Sequence, residues 1–194
     1  IADVQRAVST VLASTPDLVL MQCNTNYTAG LENFSYLQLN VLRTYEAMYP
    51  GVILGLSDHM PGHVSVLGAV ALGARVIEKH FTDSNGREGP DHAFAMNPST
   101  WREMVDRTRE LEACLGNGQK KIEANERETA IVQRRCVRAG QDLQEGAVLG
   151  IADLTVLRPC PVDAVAPYDI HKLTGKRLRR SIRSGEHFIW GDFE

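Results

Sequence analysis

Residues 55–92 read GLSDHMPGHVSVLGAVALGARVIEKHFTDSNGREGPDH, and the architecture of the chain follows from their pattern. A short apolar run at residues 52–56 ends in Ser57-Asp58-His59. An Ala-rich apolar stretch, residues 64–72, follows and is stopped by Gly73. Val76 and Ile77 open a second run that ends in Glu78-Lys79-His80. The order is strand, polar turn, helix, strand, polar loop. In a parallel βαβ unit both strand ends fall on one edge of the sheet. Ligand sites of α/β folds form on that edge. The pattern therefore predicts His59 and His80 side by side at a mouth, with Ser57, Asp58, Glu78 and Asp91 near them.

The flanking segments repeat this alternation. Residues 2–13 carry apolar side chains at a helical period, and Pro16 ends them. Residues 17–24, DLVLMQCN, form a nearly continuous apolar run, as a strand covered on both faces does. Residues 31–49 place Leu31, Phe34, Leu37, Val41, Leu42, Tyr45 and Met48 on one stripe, which predicts a single amphipathic helix. Asn97-Pro98-Ser99-Thr100 starts a further helix, with Thr100 and Glu103 spaced as a capping box. Trp101, Met104, Val105, Thr108, Leu111 and Leu115 give it a buried face, and Gly116 ends it. Helices alternating with strands mean an α/β fold with a parallel sheet. Three strands do not close a barrel, which needs eight.

The texture changes after the polar, charged residues 119–128, which read as a linker or an exposed helical segment. From residue 131 onward the apolar runs are short and broken by glycine and proline. Strands are expected at 132–137, 154–157, 179–182 and 188–190, which makes a small all-β module. The domain division is thus 1–116, a linker at 117–130, and 131–194. The first residues already read as the middle of a helix, and the sequence is expected to begin inside a larger domain.

Composition narrows the partners. The 194 residues carry a net charge of −3, so nothing argues for a nucleic acid or an anionic membrane surface. No apolar run has the length to span a bilayer. Cys23, Cys114, Cys136 and Cys160 lack CxxC or framework spacing and read as reduced, mostly buried thiols of a cytoplasmic protein. Sequons at Asn26 and Asn33 carry little weight without a secretory signal.

Four features carry chemistry, each with a plainer reading beside it. His59 and His80 suit a divalent ion completed by carboxylate or water oxygens, and nitrogen with oxygen ligands favours Mn, Fe, Co or Zn over Mg or Ca. Either histidine alone reads as a strand cap; the pair, flanked by Asp58 and Glu78, favours the metal. His63 and His92 lie in adjoining loops and at most support the ligands. Gly89-Pro90-Asp91-His92 is a rigid loop that either aims Asp91 at the mouth or leaves it solvated. Asn24-Thr25-Asn26-Tyr27-Thr28 either lines the mouth and bonds hydroxyls of a polyol or is an ordinary βα loop whose Asn and Thr cap the next helix. Arg158, before Pro159, either clamps a carboxylate or amide oxygen or is solvated. The basic run at residues 176–183 is interleaved with no aromatics and reads as a solvated face.

GLSDH, ALGARVIEKHFT, GPDH and QRRCVRAGQDLQEGAVL, with LRP further on, together resemble the sialic acid synthase family, which makes N-acetylneuraminic, legionaminic and pseudaminic acids. The resemblance covers essentially the whole chain. It implies the last three βα units of a (β/α)8 TIM barrel, then a small β-clip, antifreeze-like (SAF) domain. It implies condensation of phosphoenolpyruvate with an N-acetylated hexosamine such as N-acetylmannosamine. His59 and His80 fall on the family's metal ligands, with Mn²⁺ the usual ion. Ser57 matches a phosphoenolpyruvate contact, Tyr27 and Asp91 match sugar contacts, and Thr25 stands where an asparagine contact is expected. Arg158 matches the arginine that reaches the partner subunit's site and binds the N-acetyl group, which implies a domain-swapped homodimer. Thr28 replaces a usual proline and Met60 a usual threonine, departures that touch the choice of sugar. The family's first five strands, with the acid and lysines that complete the phosphoenolpyruvate site, have no counterpart here, so this chain alone is expected to be inactive. Two other readings stand beside it: a metal-dependent barrel hydrolase using the same two histidines, which needs a further ligand and a base, and a non-catalytic scaffold whose C-terminal module binds carbohydrate or dimerises.

Overall fold

Three short parallel strands organise the first part of the chain. In a computed structural model that describes residues 1–27 and 30–194, the protein divides into two units, Ile1–Gln119 and Lys120–Glu194. The first unit runs α1 (Ala2–Leu12), β1 (Val19–Cys23), α2 (Val41–Met48), β2 (Ile53–Asp58), α3 (Val64–Ala71), β3 (Val76–Lys79) and α4 (Pro98–Leu115). The sheet order is β1-β2-β3, and both pairings are parallel. Cys23 stands opposite Ser57, and Ser57 opposite Glu78, so the three C-terminal ends lie in register.

Alternation along β2 separates its two faces. Leu54, Leu56 and Asp58 are buried on the helix-covered face, in a core with Leu42, Val66, Ala69 and Met104. Val19 and Ile53, on the other face, are exposed. Gly55 belongs to that face. A Cβ there would stand 2.7 Å from the Val76 carbonyl oxygen and 2.9 Å from Met21 Cγ, so only glycine lets its neighbours approach this closely.

The single helix expected over residues 31–49 is two pieces. A 3₁₀ turn spans Leu31–Tyr36, and α2 starts only at Val41. Between them Gln38 takes φ of 53°, which no continuous α-helix tolerates. Side chains from β1 and the following turn hold the break: Gln22 donates to the Leu37 carbonyl at 2.9 Å and Asn24 to that of Tyr36 at 3.2 Å. Leu37, Leu42 and Tyr45 are buried, whereas Leu31 faces solvent. The cap of α4 also differs from expectation. Asn97, not Thr100, is the N-cap; its Oδ1 accepts from the Ser99 and Thr100 amides at 3.0 Å, and Thr100 Oγ1 accepts from the Asn97 amide.

The second unit begins with a 3₁₀ turn at Ala124–Glu126 and α5 (Arg127–Gln133). Residues 132 and 133, expected to be extended, are therefore helical, and β4 (Cys136–Ala139) starts later. It pairs antiparallel with β5 (Leu154–Leu157). The strands expected at 179–182 and 188–190 are isolated bridges, Leu143 to Ile182 and Ala164 to Ile189. Turns at Gly146, Gly175 and Gly185, all with φ near +80°, cut the chain too often for longer ladders. The core of this unit is Val137, Leu149, Val165, Leu173, Leu178, Ile182 and Phe188.

Arg180 ties the end of this unit together. Its Nε lies 2.6 Å from the buried Asp192 carboxylate and its Nη1 2.6 Å from Glu186. The bond to Asp192, then that to Glu186, holds the Arg180 guanidinium in its charged form. Arg180, with the Arg183 amide, holds the Glu186 carboxyl below its ordinary value of 4.5. A depressed carboxylate stabilises the fold fully above its unfolded value and loses that contribution as pH falls through the folded value. Denaturant midpoints are expected to fall on acidification below about pH 4.5, and Glu186→Gln is expected to flatten that limb. The effect should stay below about 1 kcal/mol because Glu186 is solvent-exposed. Separately, Asn97→Ala is expected to cost about 1 kcal/mol in the same unfolding measurement, through loss of the α4 cap.

Candidate active site

The C-terminal edge of the sheet brings His59 and His80 together. Each directly follows the last residue of its strand, Asp58 of β2 and Lys79 of β3, so each continues that strand's alternation. Their ring centroids are 5.1 Å apart. His59 is 5% exposed, and the His80 side chain 27%. Just below them on the same face, Ser57 Oγ donates to Glu78 at 2.8 Å. Cys23 completes that row from β1, with its Sγ 3.9 Å from His59 Nδ1.

Two loops close around the pair. The turn after β1 places the Tyr27 ring edge-on to both imidazoles, with centroids 4.3 Å from His59 and 5.6 Å from His80. Asn24 and Asn26 bond within that turn and to its 3₁₀ neighbour: Asn26 Nδ2 reaches Asn33 Oδ1 at 3.0 Å. These two side chains thus shape the turn. Thr25 is exposed on it, and no hydrogen bond or ring contact among the described residues joins it to the imidazoles. Thr28 lies outside the described residues.

The loop after β3 folds back on its own strand. The Met96 amide donates to the His80 carbonyl and the Thr82 amide to Met96, each at 2.8 Å. Asn85 Nδ2 donates to the carbonyls of His92 and Ala95. This return places Asp91 Oδ2 3.4 Å from His80 Nδ1 and the Phe94 ring 5.2 Å from the His80 ring. Asp91 is therefore aimed at the mouth. His92 instead meets Thr82 Oγ1 through Nδ1 at 2.8 Å, which makes it part of the loop's frame. His63 is the N-cap residue of α3 and makes no side-chain cap bond.

Asp58 corrects the expectation that it joins the mouth. It points to the opposite, helix-covered face and is 2% exposed. There it pairs with Lys79 Nζ at 2.7 Å and accepts from Ser65 Oγ at 2.5 Å. Period two is the reason: in a strand whose residues 57 and 59 face the site, residue 58 cannot. Lys79, Phe94 and Cys23 were not anticipated at or around the site. Lys79 and Cys23 were signalled by alternation, one place before His80 and level with Ser57; Phe94 depends on the loop's return. The expectation of mostly buried thiols holds for Cys136, whereas Cys23 and Cys114 are exposed and Cys160 is intermediate.

The donor set defines what this mouth can hold. Each Nδ1 already faces a neighbour, Cys23 or Asp91, which leaves Nε2 of both rings as the available nitrogen. Among the described residues no group of three or more His, Cys, Asp or Glu side chains is arranged to hold an ion. The pair therefore fits an ion bound by two protein nitrogens, its other positions left to water or substrate oxygens, rather than a closed structural site. Arg158 belongs to the second unit, exposed just past β5. No helix in the described residues is long and apolar enough to cross a membrane.

Residues 1–120 match the NeuB family and residues 134–194 the SAF domain. The chain is 35% identical over 177 residues to an N,N'-diacetyllegionaminic acid synthase of Legionella pneumophila, covering 91% of this chain and 48% of that protein. It is 30% identical to a pseudaminic acid synthase of Campylobacter jejuni, over 92% of this chain and 50% of the other. The solved structure of the spore coat polysaccharide biosynthesis protein SpsE of Bacillus subtilis aligns with the whole chain and 58% of its own, with a TM-score of 0.54 and 30% identity. The chain spans about half the length of the curated relatives it matches. With a synthase-type α/β unit followed by a SAF domain, this chain belongs to the NeuB family, the sialic acid synthase-like proteins.

Proposed function

We propose that the chain is the C-terminal part of a nonulosonic acid synthase that condenses phosphoenolpyruvate with an N-acetylated hexosamine. The observation that carries this reading is the His59–His80 pair at adjacent strand ends, with Tyr27 and Asp91 beside it, in a NeuB-family chain. On this reading the first unit supplies the last three βα units of a (β/α)8 barrel over residues 1–116. A linker over 117–130 leads to the SAF domain over 131–194. The exposed Val19 and Ile53 support it, because they lie on the face opposite the helices, where a closed barrel packs its interior.

His59 and His80 would hold the divalent ion, Mn²⁺ by preference, through their free nitrogens. When bound, the ion supplies Lewis acidity toward the aldehyde oxygen of the open-chain sugar. Asp91 orients His80 and offers its second oxygen to a sugar hydroxyl. Tyr27 sets its ring edge-on to the imidazoles and presents its phenol to the same ligand. Ser57, now donating to Glu78, stands where phosphoenolpyruvate would be held. In the reaction C3 of phosphoenolpyruvate bonds to the aldehyde carbon, whose oxygen takes up a proton. Water adds to C2 of the resulting oxocarbenium ion, and phosphate leaves with cleavage of its C–O bond.

The homodimer enters through Arg158. Exposed on the second unit, it would bind the N-acetyl oxygen in the partner subunit's site, which makes the assembly domain-swapped. The protein would work in the cytoplasm, consistent with its free cysteines. Met60, which stands in place of a usual threonine, is 1% exposed and packs in the core. Its substitution therefore bears less on the sugar than the turn holding Thr25 does. Family membership favours the synthase over a barrel hydrolase or a scaffold.

The test is phosphate release by the full-length protein given phosphoenolpyruvate, N-acetylmannosamine and Mn²⁺. Release is expected to need both sugar and metal, to stop with EDTA, and to fall by more than about 100-fold in His59→Ala and in His80→Ala. Release with a diacetamido-hexose alone would keep the reaction and move the product to a legionaminic-type acid. No release with any such sugar from folded, metal-loaded protein would sink the synthase reading.

A further inference from the structure

The residues immediately before the two histidines form a buried ion pair on the far side of the sheet. Asp58 and Lys79 are register partners across β2 and β3. Lys79 Nζ lies 2.7 Å from Asp58 Oδ2, and the two side chains are 2% and 0% exposed, respectively. Lys79 also donates to the Met60 carbonyl at 2.7 Å. Asp58 Oδ1 accepts from the Met60 amide at 3.0 Å, and its Oδ2 from Ser65 Oγ at 2.5 Å. His59 is thereby held on both sides, through Asp58 before it and Met60 after it.

A buried pair of this kind is weak evidence of a stabilising role. Removing two charges from water costs about as much as their attraction returns, and apolar residues of the same volume often serve as well. What such a pair provides and an apolar pair does not is a directional tie between two particular residues. A strand that slips by one residue turns every side chain to the other face. At the C-terminal edge that slip would remove one imidazole from the mouth.

We propose that the Asp58–Lys79 pair is the positioning device of the site. It locks the ends of β2 and β3 in register, and so holds the His59 and His80 rings close enough to share one ion. Asp58 and Lys79 touch neither ion nor substrate; they act through the histidines that follow them. The inference rests on the metal reading above, and part of its test is independent of that reading.

Two variants of the full-length protein make the test: Lys79→Met, and the double variant Asp58→Asn/Lys79→Met, which leaves no unpaired buried charge if the single variant unfolds. The first measurement is Co²⁺ titration followed by visible absorption and calorimetry. The double variant is expected to regain thermal stability relative to Lys79→Met, yet to bind Co²⁺ about 10–100-fold more weakly than wild type, with an altered visible band. The second measurement is the crystal structure of each metal-free protein. The ring separation is expected to stay near 5.1 Å in wild type and to widen in the variants. A double variant that binds Co²⁺ as wild type does, or variants whose metal-free ring separation is unchanged, would overturn the proposal. Wild type that binds no Co²⁺ would overturn the metal reading alone, and the metal-free structures would still decide the register claim.

Discussion

The parallel register of β2 against β3 is the constraint on which the rest depends. Ser57 pairs with Glu78 and Asp58 with Lys79, so like positions of the two strands face the same way. One face then carries hydroxyl, carboxylate and imidazoles toward the open edge; the other carries an ion pair into the helix layer. Neither face is independent, because both are fixed by one alternation. The close approach at Gly55 belongs to the same constraint, since any side chain there would push on the Val76 backbone and disturb the register above it.

The two loops at the edge work differently from each other. The turn after β1 is held by its own asparagines and by bonds to the 3₁₀ segment, and it delivers an aromatic ring. The loop after β3 is held by backbone bonds back to β3, and it delivers a carboxylate. The first device leaves Thr25 exposed beside the mouth. The second leaves little freedom, which suits a residue that must meet His80.

Much of this was legible in the residues because the strands are short and the punctuation is strong. Gly73 and Gly116 follow the last residues of α3 and α4 within two positions, α1 ends four residues before Pro16, and the two histidines sit just past apolar runs. The break at Gln38 was not legible, because the apolar stripe continues through it and only side chains from outside the segment hold the turn. The inward turn of Asp58 was legible in principle from period two, but an acid beside a histidine invites a ligand reading that the alternation forbids. In the second unit the runs at 179–182 and 188–190 look like strands, yet among the described residues each finds only a single bridging partner before the next turn.

A mouth with two protein nitrogens and no third ligand side chain among the described residues has a chemical consequence. A closed set of four protein ligands would fix an ion and leave it inert, as in a structural zinc site. Two nitrogens would fix an ion's place while leaving most of its shell to oxygen atoms that come and go. Such an ion is held weakly unless its two ligands are already in place, because any motion needed to bring them together subtracts from binding. Burial of His59, the contact of His80 with Asp91, and the Tyr27 ring across both reduce that motion from above. From below, among the described residues, the restraints are the sheet, the Cys23 contact with His59 and the Asp58–Lys79 pair, and so a site with few ligands needs strand ends that do not slip.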